Sequence, residues 1–532
     1  MMKNKYLILL LVGCWAFSCK DAYDDHYNTG NGATVSDKSL AELITADVNL
    51  STFSKLITIA GLTDELSSNQ TFTVWAPTNE ALATIDLQSI TQEEAALIVY
   101  NHTTRFNVST TTPDNQPIRM RDNKSFFFSD KATVFGGAKL LQHDILAKNG
   151  ILHTLQSQLL YYANLYEYIL SNPLTSNLAD FISSFQEKIV DATAGSVTDM
   201  VMVDYNRLFD ASFLYGTIDL GIGQINQEDL LYTMLVPTNT AWDAAYSRIA
   251  PYFKAIGADA DSLQKQQTSL AILDDLIYQG EIANPASQSY LVSTSPFYTT
   301  GFSTVISNPA ELFGGAEKIQ ASNGLIFQTD DLRYNNTETW NKPILVETEL
   351  TQGRLLGSNT TVITRVVDDN FEELVSNNSY LYVEPSTPTA QPEVTFEIPQ
   401  VLSGTYNIYV EFLPLYLDPQ GKTGDKTKFV FNLSYKNANG TTTDRANNAT
   451  NLIADANGVT RMLVYSNFEF PMANYYDRIW MIDYYKGLHK IDDRIVTTKL
   501  RIRTNVSNAE MNSGAYVRKF CVDRIILEPI QK

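Results

Sequence analysis

The chain has 532 residues, 44% of them hydrophobic and 18% charged, with a formal net charge of −20. Such a length has room for three or more domains with cores of their own, and so ordinary a balance excludes wholesale disorder. The acidic surface repels phosphate backbones and anionic headgroups, which excludes nucleic acid as a partner class, whereas neutral polymers meet no such penalty.

Residues 1–18 carry Lys3 and Lys5, then an apolar run from Tyr6 to Phe17, then Ser18-Cys19. A basic start and a short apolar core read as a secretory signal, too short for a permanent span. Ending in a small residue and then Cys, it resembles a bacterial lipoprotein signal. Leu11-Val12-Gly13-Cys14 fits the lipobox pattern more closely, but cleavage there would cut the apolar core back to Tyr6–Gly13. The length of the core favours Cys19 as the lipidated residue. Residues 19–37, rich in Asp, Asn, Gly and Lys, read as a flexible tether. The acidic stretch Lys20-Asp21-Ala22-Tyr23-Asp24-Asp25 resembles the sorting segment of surface-exposed lipoproteins.

From 38 to 163, Leu40, Leu43, Ile44 and then Phe53, Leu56, Ile57, Ala60 fall at helical spacing, as do Ala95, Ala96, Val99 and Tyr100. Thr71 to Leu82, T-F-T-V-W-A-P-T-N-E-A-L, reads as a strand, a stop at Pro77, and the start of a helix capped by Thr78 or Asn79. Ser125 to Phe128 and Lys139 to Leu141 read as strands, and Asn149-Gly150 as a turn feeding the strand Ile151 to Leu155. The same two phrases recur in residues 164–342. Leu231 to Trp242 repeats the Pro-Thr-Asn block at Pro237, Thr238 and Asn239, after an insertion from Asp204 to Asp229. Asn323-Gly324 repeats the turn, with Phe327 where His153 stands in the first copy. Leu165 to Leu170 and Leu178 to Phe185 read as helices. Trp242, Tyr246, Ile249 and Phe253 fall on one apolar helix face, which reads as core.

T-V-W-A-P-T-N-E-A-L and N-G-I-L-H-T-L resemble the two signature blocks of the fasciclin domain, with Tyr100 and His102 near the family's Tyr-His position. The resemblance implies two tandem α+β domains, the second degenerate, used for adhesion and binding rather than catalysis. It also implies that His102 and His153 are structural.

After Pro343 strand-like runs dominate, among them Val394 to Ile398, Tyr406 to Leu413, Lys428 to Tyr435, Lys499 to Thr504 and Val522 to Leu527. Such spacing predicts an all-β sandwich over 343–532. The runs Phe396-Glu397-Ile398-Pro399 to Val410 and Val522 to Leu527 resemble a galactose-binding-like, carbohydrate-binding jelly roll. The expected fold is therefore multidomain: two α+β fasciclin-like domains followed by a β-sandwich.

Catalytic and metal signals are thin. His26, His102, His143, His153 and His489 never stand at metal-ligand spacing, and neither a G-x-S-x-G elbow nor a phosphate loop occurs. The sequence thus points to no enzyme, no cofactor and no metal, and Cys521 reads as a buried core thiol. The strongest binding candidate is the stretch Tyr475, Tyr476, Asp477, Arg478, Trp480, Asp483, Tyr484 and Tyr485, taken as a loop. Sugars offer C–H faces and a rim of hydroxyls, which flat rings beside Asp and Arg can meet. Tyr416 and Trp340 are weaker alternatives. The function expected is a lipid-anchored outer-membrane surface protein that captures polysaccharide or oligosaccharide for a glycan uptake system, with a transporter complex as a further partner. The alternative is an adhesion protein whose fasciclin-like domains dock another surface protein.

Overall fold

The computed structural model describes residues 35–190, 202–209, 221–296, 303–367, 372–418, 423–485, 487–488, 490 and 495–531. The leader, Cys19 and most of the tether lie outside the described residues. The chain divides into two compact units, Met1–Ala163 and Asn164–Lys532. The architecture is two α+β domains followed by an all-β sandwich, the last two within the second unit.

In the first unit, the strand Phe72–Pro77 is flanked by Thr103–Thr104 and, in parallel, by Gly150–Leu155, with Ala138–Ala147 beyond. The register sets Phe72 against Gly150 and Pro77 against Leu155. In the second unit, Tyr232–Pro237 pairs in parallel with Gly324–Thr329, setting Tyr232 against Gly324 and Pro237 against Thr329. The two phrases of the sequence are thus adjacent interior strands of each sheet, joined in the same register. All six residues of both Pro-ended strands are buried, as central strands require.

The turn asparagines have matching duties. Asn149 Oδ1 accepts from Leu40 N at 2.8 Å, and its Nδ2 donates to Leu66 O and Ser68 O at 2.9 and 2.8 Å. Asn323 Oδ1 accepts from Leu165 N at 2.9 Å, and its Nδ2 donates to Ile225 O and Gln227 O at 2.8 and 3.0 Å. Each amide holds the first helix of its domain to the loop before the central strand. Those helices also open alike, with capping boxes of Ser39 with Glu42 and Asn164 with Glu167.

The Pro-Thr-Asn junctions differ from expectation. Thr238 caps the helix Asn239–Ile249, accepting from Ala241 N, but residues 79–84 of the first copy are turns rather than a helix. Neither asparagine caps the segment that follows it. Asn79 Oδ1 accepts from Thr52 N at 2.8 Å, in the first turn of the helix Ser51–Ile59. Asn239 Oδ1 accepts from Asn177 N at 2.9 Å, in the first turn of Ser176–Ser183. Each one satisfies a helix terminus far back in the sequence.

His102 and His153 are fully buried and bonded to backbone at both ring nitrogens. His102 Nδ1 lies 2.8 Å from Ile98 O while its Nε2 accepts from Leu159 N at 3.0 Å. His153 Nε2 lies 2.9 Å from Val108 O, its Nδ1 accepts from Asp144 N, and its ring stacks on Trp75. Burial lowers both pKa values, that of His102 from 6.5 to about 4. Because the unfolded ring takes its proton first, this part of the stability is complete above the unfolded value and is lost as pH falls toward 4. The loss from His102 amounts to about 3 kcal/mol at 1.36 kcal/mol per unit. Hydrogen exchange of residues 35–163 is expected to quicken between pH 6.5 and 4.5, once corrected for intrinsic exchange, and to do so less in His102→Gln. A profile identical in the two proteins would refute this.

The sandwich has two antiparallel sheets. One runs Thr360–Val366, Ser379–Pro385, Phe520–Pro529, Thr405–Leu413, Thr460–Glu469, with Ile344–Glu347 also on Phe520–Pro529; the other runs Arg354–Leu356, Glu393–Glu397, Lys499–Thr504, Thr427–Lys436, Thr442–Asn447. Alternate residues of both fill one core, where Phe412 stacks on Phe429 with ring centroids 4.2 Å apart. Cys521 is buried in a smaller cluster with Tyr380 and Tyr382 on the outer face of the first sheet, and burial pushes its thiol up.

Candidate functional site

The stretch expected to be a binding loop is a strap and a helix, Arg478–Tyr485, that joins the sandwich to the second α+β domain. Asp477 accepts from Trp480 N at 2.9 Å through Oδ1, which makes it the N-cap, and its Oδ2 accepts from Gln266 Nε2 at 2.8 Å. Burial raises the Asp477 carboxyl despite these donors. Arg478, 3% exposed at its side chain, points its Nε at Asp274 Oδ1, 3.2 Å away. Tyr475 packs edge-on against Phe253, its carbonyl accepts from Gln267 Nε2 at 3.0 Å, and burial drives its phenol far up. Ile479, Met481 and Ile482 enter the core of the α+β domain. Asp477, Arg478 and Tyr475 are therefore engaged in joining the two folds and are turned away from solvent, contrary to the roles of ligand acceptor and platform expected of them.

The other residues of the stretch form a different group. Tyr476, Trp480 and Tyr484 are half-buried. Trp480 meets Tyr476 edge-on at 4.9 Å and lies parallel to Tyr484, with planes 4° apart and centroids at 6.0 Å. Asp483 Oδ1 pairs with Arg207 Nη1 at 3.0 Å. Tyr485 belongs to the helix, but its side chain lies outside the described residues. Of the weaker alternatives, Trp340 packs on Tyr252 and Phe253, and Tyr416 is 38% exposed.

The same Arg207 lines a groove of about 560 Å³ in the second α+β domain. Its walls come from the helices Ser176–Ser183, Asn239–Ile249 and Ala260–Leu273. Phe181, Phe185, Trp242 and Tyr246 supply the apolar floor. Phe181 and Trp242 sit 5.9 Å apart at a 46° tilt, and the Arg207 guanidinium lies over the Phe185 ring. Asp180, Asp243 and Lys265 stand exposed at the rim, and Asn177 Nδ2 donates to Asp243 Oδ1 at 2.8 Å. Burial and the Asp261 charge raise the Tyr246 phenol, so it is a neutral donor at physiological pH. A cavity of this size, with flat apolar walls and a few converging polar groups, suits a small ring-shaped ligand or one unit of a polymer. The sequence places Trp242 and Tyr246 on one helix face but assigns that face to the core. The core assignment holds for Trp242, Ile249 and Phe253, which are buried, while Tyr246 is half-buried at the groove.

Among the described residues, no three His, Cys, Asp or Glu side chains gather as a metal site, and no helix is long and apolar enough to cross a membrane. The Fasciclin domain model matches residues 48–161. No curated protein matches the chain. Among solved structures, the chain is similar to a FAS1 domain pair from the insect cell adhesion molecule Fasciclin I, at 15% identity, covering 55% of this chain and 98% of that one with a TM-score of 0.21. It is also similar to the C-terminal family 22 carbohydrate binding module of Clostridium thermocellum Xyn10B, at 12% identity, 35% and 94% coverage and a TM-score of 0.21. A non-crystalline cellulose specific carbohydrate-binding module, CBM28, is similar at 12% identity, 35% and 90% coverage and a TM-score of 0.16. Likenesses at these scores transfer no function.

Proposed function

We propose that this chain is a non-catalytic binding protein, held outside the outer membrane by a lipid on Cys19, that captures neutral polysaccharide for a neighbouring uptake complex. The observation that carries the saccharide reading is the groove lined by the half-buried rings of Phe181 and Tyr246, with Trp242 buried beside Phe181, and rimmed by Asn177, Asp180, Asp243 and Lys265. Pyranose rings lay their C–H faces on such rings while the rim takes their hydroxyls. The Arg207–Asp483 pair ties the groove to the helix that bears Trp480 and Tyr484.

Affinity electrophoresis through gels containing neutral polysaccharides tests this. Tyr246→Ala and Tyr484→Ala remove half-buried rings, and each is expected to weaken retention tenfold or more, which is about 1.4 kcal/mol or above. Retention unchanged in both, with far-UV circular dichroism intact, would refute the groove. The Fasciclin match over 48–161 favours a second reading, docking of another surface protein by the first unit. Capture of a surface protein by residues 48–161, with no glycan retained by the wild type, would put that reading first.

A further inference from the structure

We infer that the outer face of the second sheet of the sandwich binds an acidic polysaccharide along the strand Lys499–Thr504. On that strand Leu500, Ile502 and Thr504 are buried, while Lys499, Arg501 and Arg503 turn outward. Arg501 and Arg503 are exposed and two residues apart on one face, which sets them about 7 Å from each other along the strand. The strand is the middle one of five, with Glu393–Glu397 on one side and Thr427–Lys436 on the other. Both cations therefore stand away from the edges of the sheet.

Their freedom is the sign of a ligand. The chain holds 59 acidic residues against 39 lysines and arginines, and Arg207, Arg365, Arg478 and Arg524 each pair with one of those acids. Arg501 and Arg503 pair with none among the described residues. The acids close to them in register are engaged elsewhere. Glu397 is bonded to Lys499 at 2.9 Å, and Asp444 accepts from Asn432 Nδ2 at 3.3 Å and from the Ser434 hydroxyl. Glu393 stands across from Arg503, but its side chain lies over Gly357, where a Cβ would meet Glu393 Cγ at 2.4 Å. Two exposed guanidinium forks are thus left open to an incoming anion.

The setting selects a sugar chain over a protein. Arg501 is flanked in register by Thr395 and Asn432, whose side chains exchange hydrogen bonds with hydroxyls. The only apolar neighbour in register is Val430, beside Arg503, whereas a protein interface is built on an apolar centre. A planar fork matches the two in-plane oxygens of a carboxylate, and opposite charge strengthens each bond. Cations repeated along an open strand meet a polymer that repeats its acid, while a closed pocket would suit a single unit. Acids beyond about 8 Å are largely screened at physiological ionic strength, so the local pair outweighs the net charge. This face is separate from the Phe181–Tyr246 groove and takes another class of glycan.

Calorimetric titration of the full-length protein with hexagalacturonate tests the assignment, with maltohexaose and a polyglutamate peptide as companions. Wild type is expected to bind hexagalacturonate, more weakly as salt rises, and to bind neither companion on this face. Arg501→Gln and Arg503→Gln should each lower that affinity about tenfold, and the double variant should lower it further. Both side chains are exposed, so circular dichroism should stay unchanged and the loss cannot be blamed on misfolding. Arg333→Gln, which removes an exposed cation from the α+β domain, should bind as the wild type does. Absence of hexagalacturonate binding, or equal binding in wild type and double variant, would overturn the assignment. Polyglutamate bound as tightly, and lost in the double variant, would overturn it in favour of an acidic protein partner. Tyr246→Ala should leave hexagalacturonate binding intact, and a loss there would overturn the assignment by moving the acid to the groove.

Discussion

Gly324→Ala is expected to unfold the second α+β domain. Gly324 has φ 137°, and a Cβ built there would stand 1.8 Å from Tyr232 O and 2.8 Å from Tyr232 C. The obstacle is backbone of the neighbouring parallel strand, so no side chain can swing away to relieve it. Gly150 in the first unit repeats the arrangement, with φ 150° and a Cβ 1.8 Å from Phe72 O. Relief would require parting the central strands of the sheet, and a loss beyond about 4 kcal/mol is expected. Gly514→Ala is the control: φ is +74° with nothing within 4 Å, so only the left-handed conformation is penalised, by about 1–2 kcal/mol. Urea unfolding of the three proteins checks this. Equal midpoints for Gly324→Ala and Gly514→Ala would mean that the strands do not approach so closely.

Arg478→Ala is expected to cost the second unit about 3–5 kcal/mol, the usual result of leaving one member of a buried ion pair behind. Burial already raises the Asp274 carboxyl, and Arg478→Ala would remove the cation and hydrogen bond that oppose the rise. Arg461→Ala provides the contrast, since its side chain is 45% exposed and its partner Glu528 40% exposed; a surface pair of that kind is worth about 0–1 kcal/mol. The double variant Arg478→Met with Asp274→Leu should recover most of the loss, because no charge is then stranded. The decisive measurement is denaturant unfolding of all four proteins. A single variant at Arg478 that unfolds with the wild type would show that the helix is not fixed by this pair. Hydrogen exchange should place the damage at Phe253 and Ile479 together, on both sides of the joint.

What could be read from the sequence was what the backbone dictates locally. Pro77 and Pro237 end strands, Asn149-Gly150 and Asn323-Gly324 open them, and alternation from Tyr406 to Leu413 lays down a sheet with one buried face. These signals depend on neighbours within a few residues. What escaped depends on partners much further away. Asn79 has the right chemistry for a cap, but the N–H it satisfies belongs to Thr52. The aromatic stretch before Lys486 has the composition of a sugar site, yet Asp477 ahead of Ile479 and Ile482 was equally a helix start with an apolar face. That reading was available and would have placed the segment against another core. The Phe181–Trp242 groove could not be read at all, since it is a gap between helices joined by no local pattern.

The strand Phe520–Pro529 comes last in sequence order in its sheet and yet lies in the middle of it, bonded to Ser379–Pro385, Thr405–Leu413 and Ile344–Glu347. A chain that emerges from its amino end can therefore pair neither side of this sheet correctly until almost everything before it has been made. Until then Thr405–Leu413 and Ser379–Pro385 each present an open hydrogen-bonding edge, which invites pairing with another chain. A premature stop between Leu413 and Phe520 would thus leave a sticky half-sheet rather than a smaller sandwich.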